Sequence, residues 1–335
     1  MKLKFFNSIL LFIVAVLLLF NPELALCHDF GGPSVPGGPP GNALNRDKPR
    51  NQTAGGEISL FDGSESFTTV DLVVQGIFPI IISRTYNSRS TYDTPLGYGW
   101  DHQYNTRLFT YSDGSVVIRW NTGLKTRFVP SGGTFVSTDN SPGKLVKNAD
   151  QSFIFFTPTG RKFHFDLRGC LDRVTDTNGN YLAFTYTTEK KPLVGKSPFS
   201  VDPSTSQIIS YEYQLTKVEE GTIDGLTGRF VSFSYDSTSG RLLSVTDFSG
   251  RTITYQHDSS GNLIRINYPE NLFHSFTYED TNDIHNITSF LKGHQNGDTD
   301  VTTVLFENTY DDQDRVIRQV HAGGSLEIEY TIPLA

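Results

Sequence analysis

The chain has 335 residues and a formal net charge of −8, with 8 alanines against 35 threonines and 42 aromatic residues (25 Phe, 15 Tyr, 2 Trp). So little of the best helix former and so many strand formers exclude helical bundles, coiled coils and doubly wound α/β enzymes, and leave an all-β class. A hydrophobic share of 37% excludes a disordered chain, and the acidic balance without a lysine- or arginine-rich run excludes nucleic acid as a partner.

The first 27 residues read as an address. Lys2 and Lys4 precede an unbroken apolar run from Ile9 to Phe20, which Asn21 and Pro22 end. A run of 12 residues is shorter than the ~20 a spanning helix needs, so it is the core of a signal peptide. Processing has two readings. Ala25-Leu26-Cys27 satisfies the small-residue rule for cleavage after Cys27, whereas Leu24-Ala25-Leu26-Cys27 resembles a lipobox in which Cys27 carries lipid. Either way the mature chain leaves the cytoplasm, and its only route to a membrane is a lipid anchor at Cys27. Residues 28–54 follow as a tether: Phe30 to Gly41 (FGGPSVPGGPPG) is Gly/Pro-rich and extended. Asn51-Gln52-Thr53 within it is a glycosylation sequon in a host that glycosylates and otherwise a surface loop.

An opening segment, 55–150, starts at Gly55-Gly56-Glu57 and carries Asp71-Leu72-Val73-Val74, Pro79, Ser83-Arg84-Thr85-Tyr86-Asn87-Ser88 and Leu96-Gly97-Tyr98-Gly99-Trp100-Asp101-His102. From 151 to 335 the chain repeats itself. Gly240-Arg241-Leu242-Leu243-Ser244-Val245-Thr246-Asp247 restarts at Gly261-Asn262-Leu263-Ile264-Arg265-Ile266-Asn267-Tyr268, a period of 21 residues (261 − 240). The same grammar occurs at Gly169-Cys170-Leu171 through Asp176, and near the end at Tyr310 through Val316. Half-units sit at Gly160 to Asp166 and Gly228 to Asp236. In Arg251 to His257, Ile253, Tyr255 and His257 alternate with polar residues, the period of a strand with one packed face. Between strands comes Asp-x-x-Gly (Asp166 to Gly169, Asp247 to Gly250, Asp258 to Gly261): aspartate opens a type I turn and glycine supplies φ > 0 at its end. In the last copy Asp314 takes the place of that glycine, which predicts a looser turn.

These repeats resemble the YD repeats of Rhs proteins, Tc-toxin components and teneurins. The pair Arg84-Thr85-Tyr86-Asn87-Ser88 and Gly97-Tyr98-Gly99-Trp100 resembles the domain that opens the Rhs repeat core. The resemblance runs from about residue 55 to 331. It implies a β-sheet spiral that forms part of a hollow shell, with the opening domain closing one end, around a C-terminal toxin or effector. The closing block of such shells, with its self-cleaving aspartates, has no counterpart here.

Candidate chemistry is sparse. Lys190 to Ser197 misses a phosphate-binding loop because Lys190 stands where its first glycine belongs, and a polar loop is expected. No Gly-x-Ser-x-Gly elbow or His-Glu-x-x-His motif occurs. Asp176 to Asn180 lacks the glycine placement and acidic closing ligand of a calcium loop and reads as a turn. Of the histidines, 164, 257 and 274 read as half-buried strand residues and His102 as structural; Cys170 reads as a strand filler, and Cys27 and Cys170 make neither a disulfide framework nor a zinc site. Arg84 and Trp100 would contact a sugar in a binding module; the preferred reading packs Tyr86, Trp100 and Tyr104 on repeat strands and pairs Arg84 inside the fold. The expectation is thus a shell segment without a catalytic set or cofactor. Its partners are a downstream shell segment or a second copy, with a cell-surface glycan as the alternative.

Overall fold

The computed structural model describes residues 53–54, 58–59, 62–121, 125–196, 207–297, 299–321 and 324–328. The leader, with Ala25 and Cys27, and the tether up to residue 52 lie outside the described residues. Among the described residues the one helical turn is Pro269–Asn271, and no helix is long and apolar enough to cross a membrane.

Fifteen antiparallel strands form one sheet, running in chain order from Lys144–Lys147 to Gly324–Glu327. Only one excursion interrupts the order: the hairpin of Lys191–Lys196 and Gln207–Glu212 is left out, and Tyr181–Tyr186 pairs directly with Leu215–Thr222. Lys191–Lys196 is therefore a strand of that hairpin, not the polar loop its sequence implies. The sheet also draws its first strand from inside the 55–150 segment.

The turns explain the repeat. At Asp247 the backbone N–H of Gly250 donates to the Asp247 carbonyl at 2.9 Å, and Gly250 and Gly261 both sit at φ +90°. The aspartate does more than favour a turn. Its Oδ1 accepts the N–H groups two and four residues on, at 2.9 and 3.0 Å for Asp247, and the same pair recurs at Asp166, Asp176, Asp258 and Asp311. The residue after the glycine, or after Asp314 in the last copy, completes the clasp on Oδ2: Arg251 at 2.7 Å, Asn262 at 3.0 Å, Asn180 at 2.8 Å, Arg315 at 2.7 Å. Where Cys170 removes that donor, Arg168 supplies it from within the turn at 2.7 Å. The Asp314 turn keeps the same geometry, with Asp314 at φ +57° and its N–H 3.2 Å from the Asp311 carbonyl, so the substitution does not loosen it.

The motif Leu-x-x-Val puts two apolar residues three apart, which in a regular strand would face opposite ways. A β-bulge resolves this. The registers jump so that Asp172, Leu243, Ile264 and Ile317 have no cross-strand partner, at the same place in four copies. The bulge turns Leu171 and Val174, Leu242 and Val245, and Leu263 and Ile266 to one face, where all six are buried. Each bulge also adds twist, so a regular bulge bends the sheet regularly.

That face is apolar across the sheet: Leu145, Phe155, Phe163, Val174 and Leu182 pair in succession, as do Phe276, Phe290 and Phe306 further on. The opening segment covers it. Ser66–Val74, Ile80–Asn87 and Trp100–His102 form a three-stranded sheet, and Arg107–Thr110, Val116–Arg119, Lys125–Ser131 and Thr134–Ser137 a four-stranded one. Both share a single core with the repeats. Phe67 meets Phe276, Phe290 and Phe306 with ring centroids 5.4 to 6.5 Å apart, while Trp120 meets Phe155 and Phe163 at 5.3 and 5.5 Å. The opening segment is thus a lining along the sheet, beyond the end closure that the family resemblance implies.

Gly250 separates backbone from packing, because a Cβ placed there meets nothing within 4 Å. Gly250→Val is expected to destabilise by roughly 1–3 kcal/mol through the left-handed conformation alone. A denaturant melt coincident with the wild type would overturn the turn assignment.

Candidate functional site

The seam between lining and sheet concentrates the buried charge. Asp71 is the lone acid in an apolar strand, at a register shift between Val70 and Leu72 that sets its side chain inward. Arg84 lies on the neighbouring strand, with Nε 3.2 Å from Asp71 Oδ1 and both side chains 1% exposed. The repeat sheet supplies the rest. Tyr268 donates to Asp71 Oδ1 at 2.7 Å and Tyr255 to Oδ2 at 3.1 Å; Arg84 Nη2 donates to Tyr268 Oη at 3.1 Å and meets His274 Nδ1 at 2.9 Å. The guanidinium carbon stands 5.0 Å over the Trp100 ring and 5.6 Å over Phe276.

The electrostatics follow from burial. Burial pushes Asp71 upward, opposed by the charge of Arg84 and by the hydroxyls of Tyr268 and Tyr255. Burial first, then the charges of Arg84 and Lys292, lower His274 to about 3, so its imidazole is neutral and accepts from Arg84. Burial likewise lowers His102 to about 3 and His257 to about 4. Asp101, 3.6 Å from Arg119, is raised by burial to about 7.

The seam has further clasps along its length. Glu65, fully buried, accepts from Asn308 and, at 3.3 Å, from Gln319 Nε2. The Phe78 N–H donates to buried Glu220 at 2.7 Å. Arg107 Nη1 donates to Tyr186 Oη at 3.1 Å. Trp100 Nε1 donates to Tyr278 Oη at 3.0 Å, and Tyr86 Oη to the His285 carbonyl at 3.0 Å. Arg241, the arginine of the repeat motif, leaves its own turn and grips the lining instead, pairing with Asp93 and donating to the Thr94 and Val194 carbonyls at 2.7 Å. Gly240 beside it has φ +74°, and a Cβ there would stand 1.9 Å from the Pro192 carbonyl oxygen, so the hairpin left out of the sheet docks on it.

The residues singled out in the sequence are therefore in the seam or in strands. Arg84, Tyr86, Trp100, Tyr104 and His102 are buried, which removes them from any sugar-binding surface. His164, His257 and His274 are half-buried in strands. The Cys170 thiol is buried and held protonated, since burial raises it. Asp176 to Asn180 is a turn. Among the described residues, no three carboxylate, imidazole or thiol groups stand at metal-holding spacing. Asp71, Asp93, Glu65 and Tyr255 of the seam were not legible as a set; the only local signal was an acid inside an apolar strand.

The seam joins two segments that separate family models match. Residues 55–128 match a domain of unknown function (DUF6531), and residues 235–271 match the RHS Repeat. The chain thus carries an RHS repeat at 235–271. A search of curated proteins matches none. Among solved structures, this chain is similar to TcdB2-TccC3 at 13% identity and a TM-score of 0.38, over 74% of this chain and 16% of that one. It is similar to a porin-like protein from Bacteroides uniformis at 10% identity and a TM-score of 0.32, over 72% of this chain and 93% of that one. The Tc holotoxin pore of Photorhabdus luminescens is similar at 11% identity and a TM-score of 0.20, over 76% and 15%. The chain spans about one sixth of the length of the Tc structures it matches.

Two outcomes test the seam. Arg84→Met leaves Asp71 buried without its cation and is expected to cost roughly 3–5 kcal/mol in a denaturant melt; a loss below about 1 kcal/mol would deny the pair its role. The pH dependence carries a sign. His102, His257 and His274 protonate near 3 to 4 when folded against 6.5 unfolded, so their contribution is lost as pH falls below 6.5. Asp101 and Asp283, raised by burial to about 7 from 3.8, act oppositely and add stability as pH falls. Each of these imidazoles takes up a proton on unfolding between about pH 4 and 6.5, a loss of roughly 1.4 kcal/mol per pH unit for each. Burial also raises Asp71, Asp93, Glu212 and Asp314, which act in the opposite sense. The stability difference between wild type and His102→Gln is therefore expected to shift in favour of the variant from pH 7 to pH 5, as denaturant melts at the two pH values would show; a shift in favour of the wild type would contradict the neutral imidazole.

Proposed function

We propose that this protein is a non-catalytic wall element of an Rhs-type shell, exported to the cell surface or surroundings by its leader, and serving a toxin-encapsulating assembly. The observation that carries the reading is the seam. The opening motif Arg84 to Ser88 and Gly97 to Trp100 is spent on the repeat sheet, through Asp71, Tyr268, Tyr278 and His285, which is what a built-in lining requires and what a free binding surface does not.

Among the described residues, neither the outer edge of Lys144–Lys147 nor that of Gly324–Glu327 pairs with another strand. Such edges template further strand addition. Lys144 and Lys147 at one edge and Glu327 at the other are exposed and of opposite charge, which favours head-to-tail joining of a second copy or of a separately encoded continuation. Light scattering after size exclusion tests this on the chain from residue 28 onward. Association at micromolar concentration, weakened by Glu327→Lys, is expected together with a flat glycan array. A monodisperse monomer overturns the open-wall reading, and a saccharide preference would make the chain a binding module instead.

A further inference from the structure

One hairpin outgrows the sheet around it. Thr299–Tyr310 has 12 residues, while the strands flanking the hairpin, Leu272–Thr277 and Val316–His321, have 6 each. The hairpin turns at Gly297, φ +63°, and its two strands pair out to Asn296 and Thr299. On one side the neighbouring strand follows as far as His294, opposite Leu272. On the other, the pairing with Val316–His321 begins only at Phe306. Among the described residues, no strand pairs with the outer edge of Thr299–Val304. The backbone N–H and C=O groups along such an edge are free to bond another chain.

The arm is braced. Arg265 donates to both carboxylate oxygens of Asp300, at 2.6 and 3.2 Å, and its guanidinium lies 3.6 Å over the Phe273 ring. Phe273 in turn packs on Gly293, where a Cβ would overlap it. A bulge that leaves Leu305 without a cross-strand partner stands where the arm leaves the sheet, and a bulged strand bends there. The edge carries neither the lysine nor the proline that protects natural edge strands. Val301-Thr302-Thr303-Val304 is uncharged, built of strand formers and exposed throughout, Val301 at 61% and Val304 at 37%. Asp300, the one charge in the run, is already engaged by Arg265.

We propose that Thr299–Val304 is the contact of a closed dimer, in which it pairs antiparallel with the same run of a second copy. Further repeats do not fill the place, because they add beyond Gly324–Glu327, which pairs with Arg318 to His321 and not along the arm. The occupant therefore comes from another chain, and the run suits its own copy. A twofold axis normal to the sheet sets one residue of the run opposite itself. With Thr302 there, Val301 meets Thr303 of the second copy and Asp300 meets Val304. With Thr303 there, Thr302 meets Val304 and Val301 meets Leu305. In both registers valine and threonine face one another and no charge faces its like. Such a contact uses the same patch on both copies, so it stops at two chains, whereas head-to-tail joining of the sheet's outer edges continues.

The test is a cross-link at the axis. Opposed Cα atoms of an antiparallel pair stand about 4.5–5.5 Å apart, within reach of a disulfide. The chain from residue 28 onward lacks Cys27, and Cys170 is buried. Thr302→Cys and Thr303→Cys are made singly in it and oxidised mildly at micromolar concentration. One of the two is expected to give a disulfide-linked dimer on a non-reducing gel. Ile223→Cys, exposed at the tip of a different hairpin, is expected to give none. Adding Val301→Lys and Val304→Lys to the linking variant charges two exposed positions, so the fold is expected to hold and the cross-link to be lost. Glu327→Lys acts on the sheet's outer edge and is expected to leave the cross-link intact, so failure of head-to-tail joining and failure of this dimer are read separately. The dimer is overturned if neither cysteine links, if Ile223→Cys links equally, if the two lysines leave the link intact, or if Glu327→Lys removes it.

Discussion

Everything in this structure depends on covering one face of a fifteen-stranded sheet. The repeats make that face by bulging once per copy, so that Leu242 and Val245, or Leu263 and Ile266, point the same way. A face so broad and apolar cannot stay wet: each Phe, Leu or Val it carries is worth roughly 1.5–3 kcal/mol on burial. The opening segment supplies the cover, and its aromatic residues interdigitate with those of the sheet, as Phe67 does with three phenylalanines from successive strands. Neither part has a complete core alone.

An apolar cover would hold the two layers together but leave their relative position open, since hydrophobic contact has little direction. The buried polar clasps fix it. Asp71 is reached by Tyr255 and Tyr268, Asp93 by Arg241, Glu65 by Asn308 and Gln319, so sliding the lining by one strand would strand several charges at once. The same logic explains why the repeat arginine changes allegiance. In other copies the residue after the turn's left-handed position closes its own turn, as Arg251 does after Gly250 and Arg315 after Asp314, but Arg241 is spent on Asp93, and Asp236 is instead satisfied by Ser239.

Local chemistry was open to reading in the sequence and long-range chemistry was not. The turns were legible because an aspartate, a glycine and the residue after it act within five residues of each other. The alternation of Arg251 to His257 was legible because a strand writes its two faces as a period of two. The bulge was not, because Leu-x-x-Val departs from that period and only pairing with a neighbouring strand shows where the extra residue goes. Asp314 shows the limit from the other side: its sequence marks a lost glycine, and the structure shows the turn intact and the carboxylate given to a different neighbourhood.

The sequence by itself determined the all-β class, the strand-and-turn repeat, the burial of Tyr86, Trp100 and Arg84, and the RHS repeat at 235–271, because each of these is written in contiguous residues. Only the tertiary structure decided that the opening segment lines the sheet along its breadth, that the hairpin at Lys191–Lys196 stands outside it, and that Asp71 is matched with Tyr268, 197 residues away. Such pairings depend on the accumulated twist of many bulged strands, and no local pattern carries that sum.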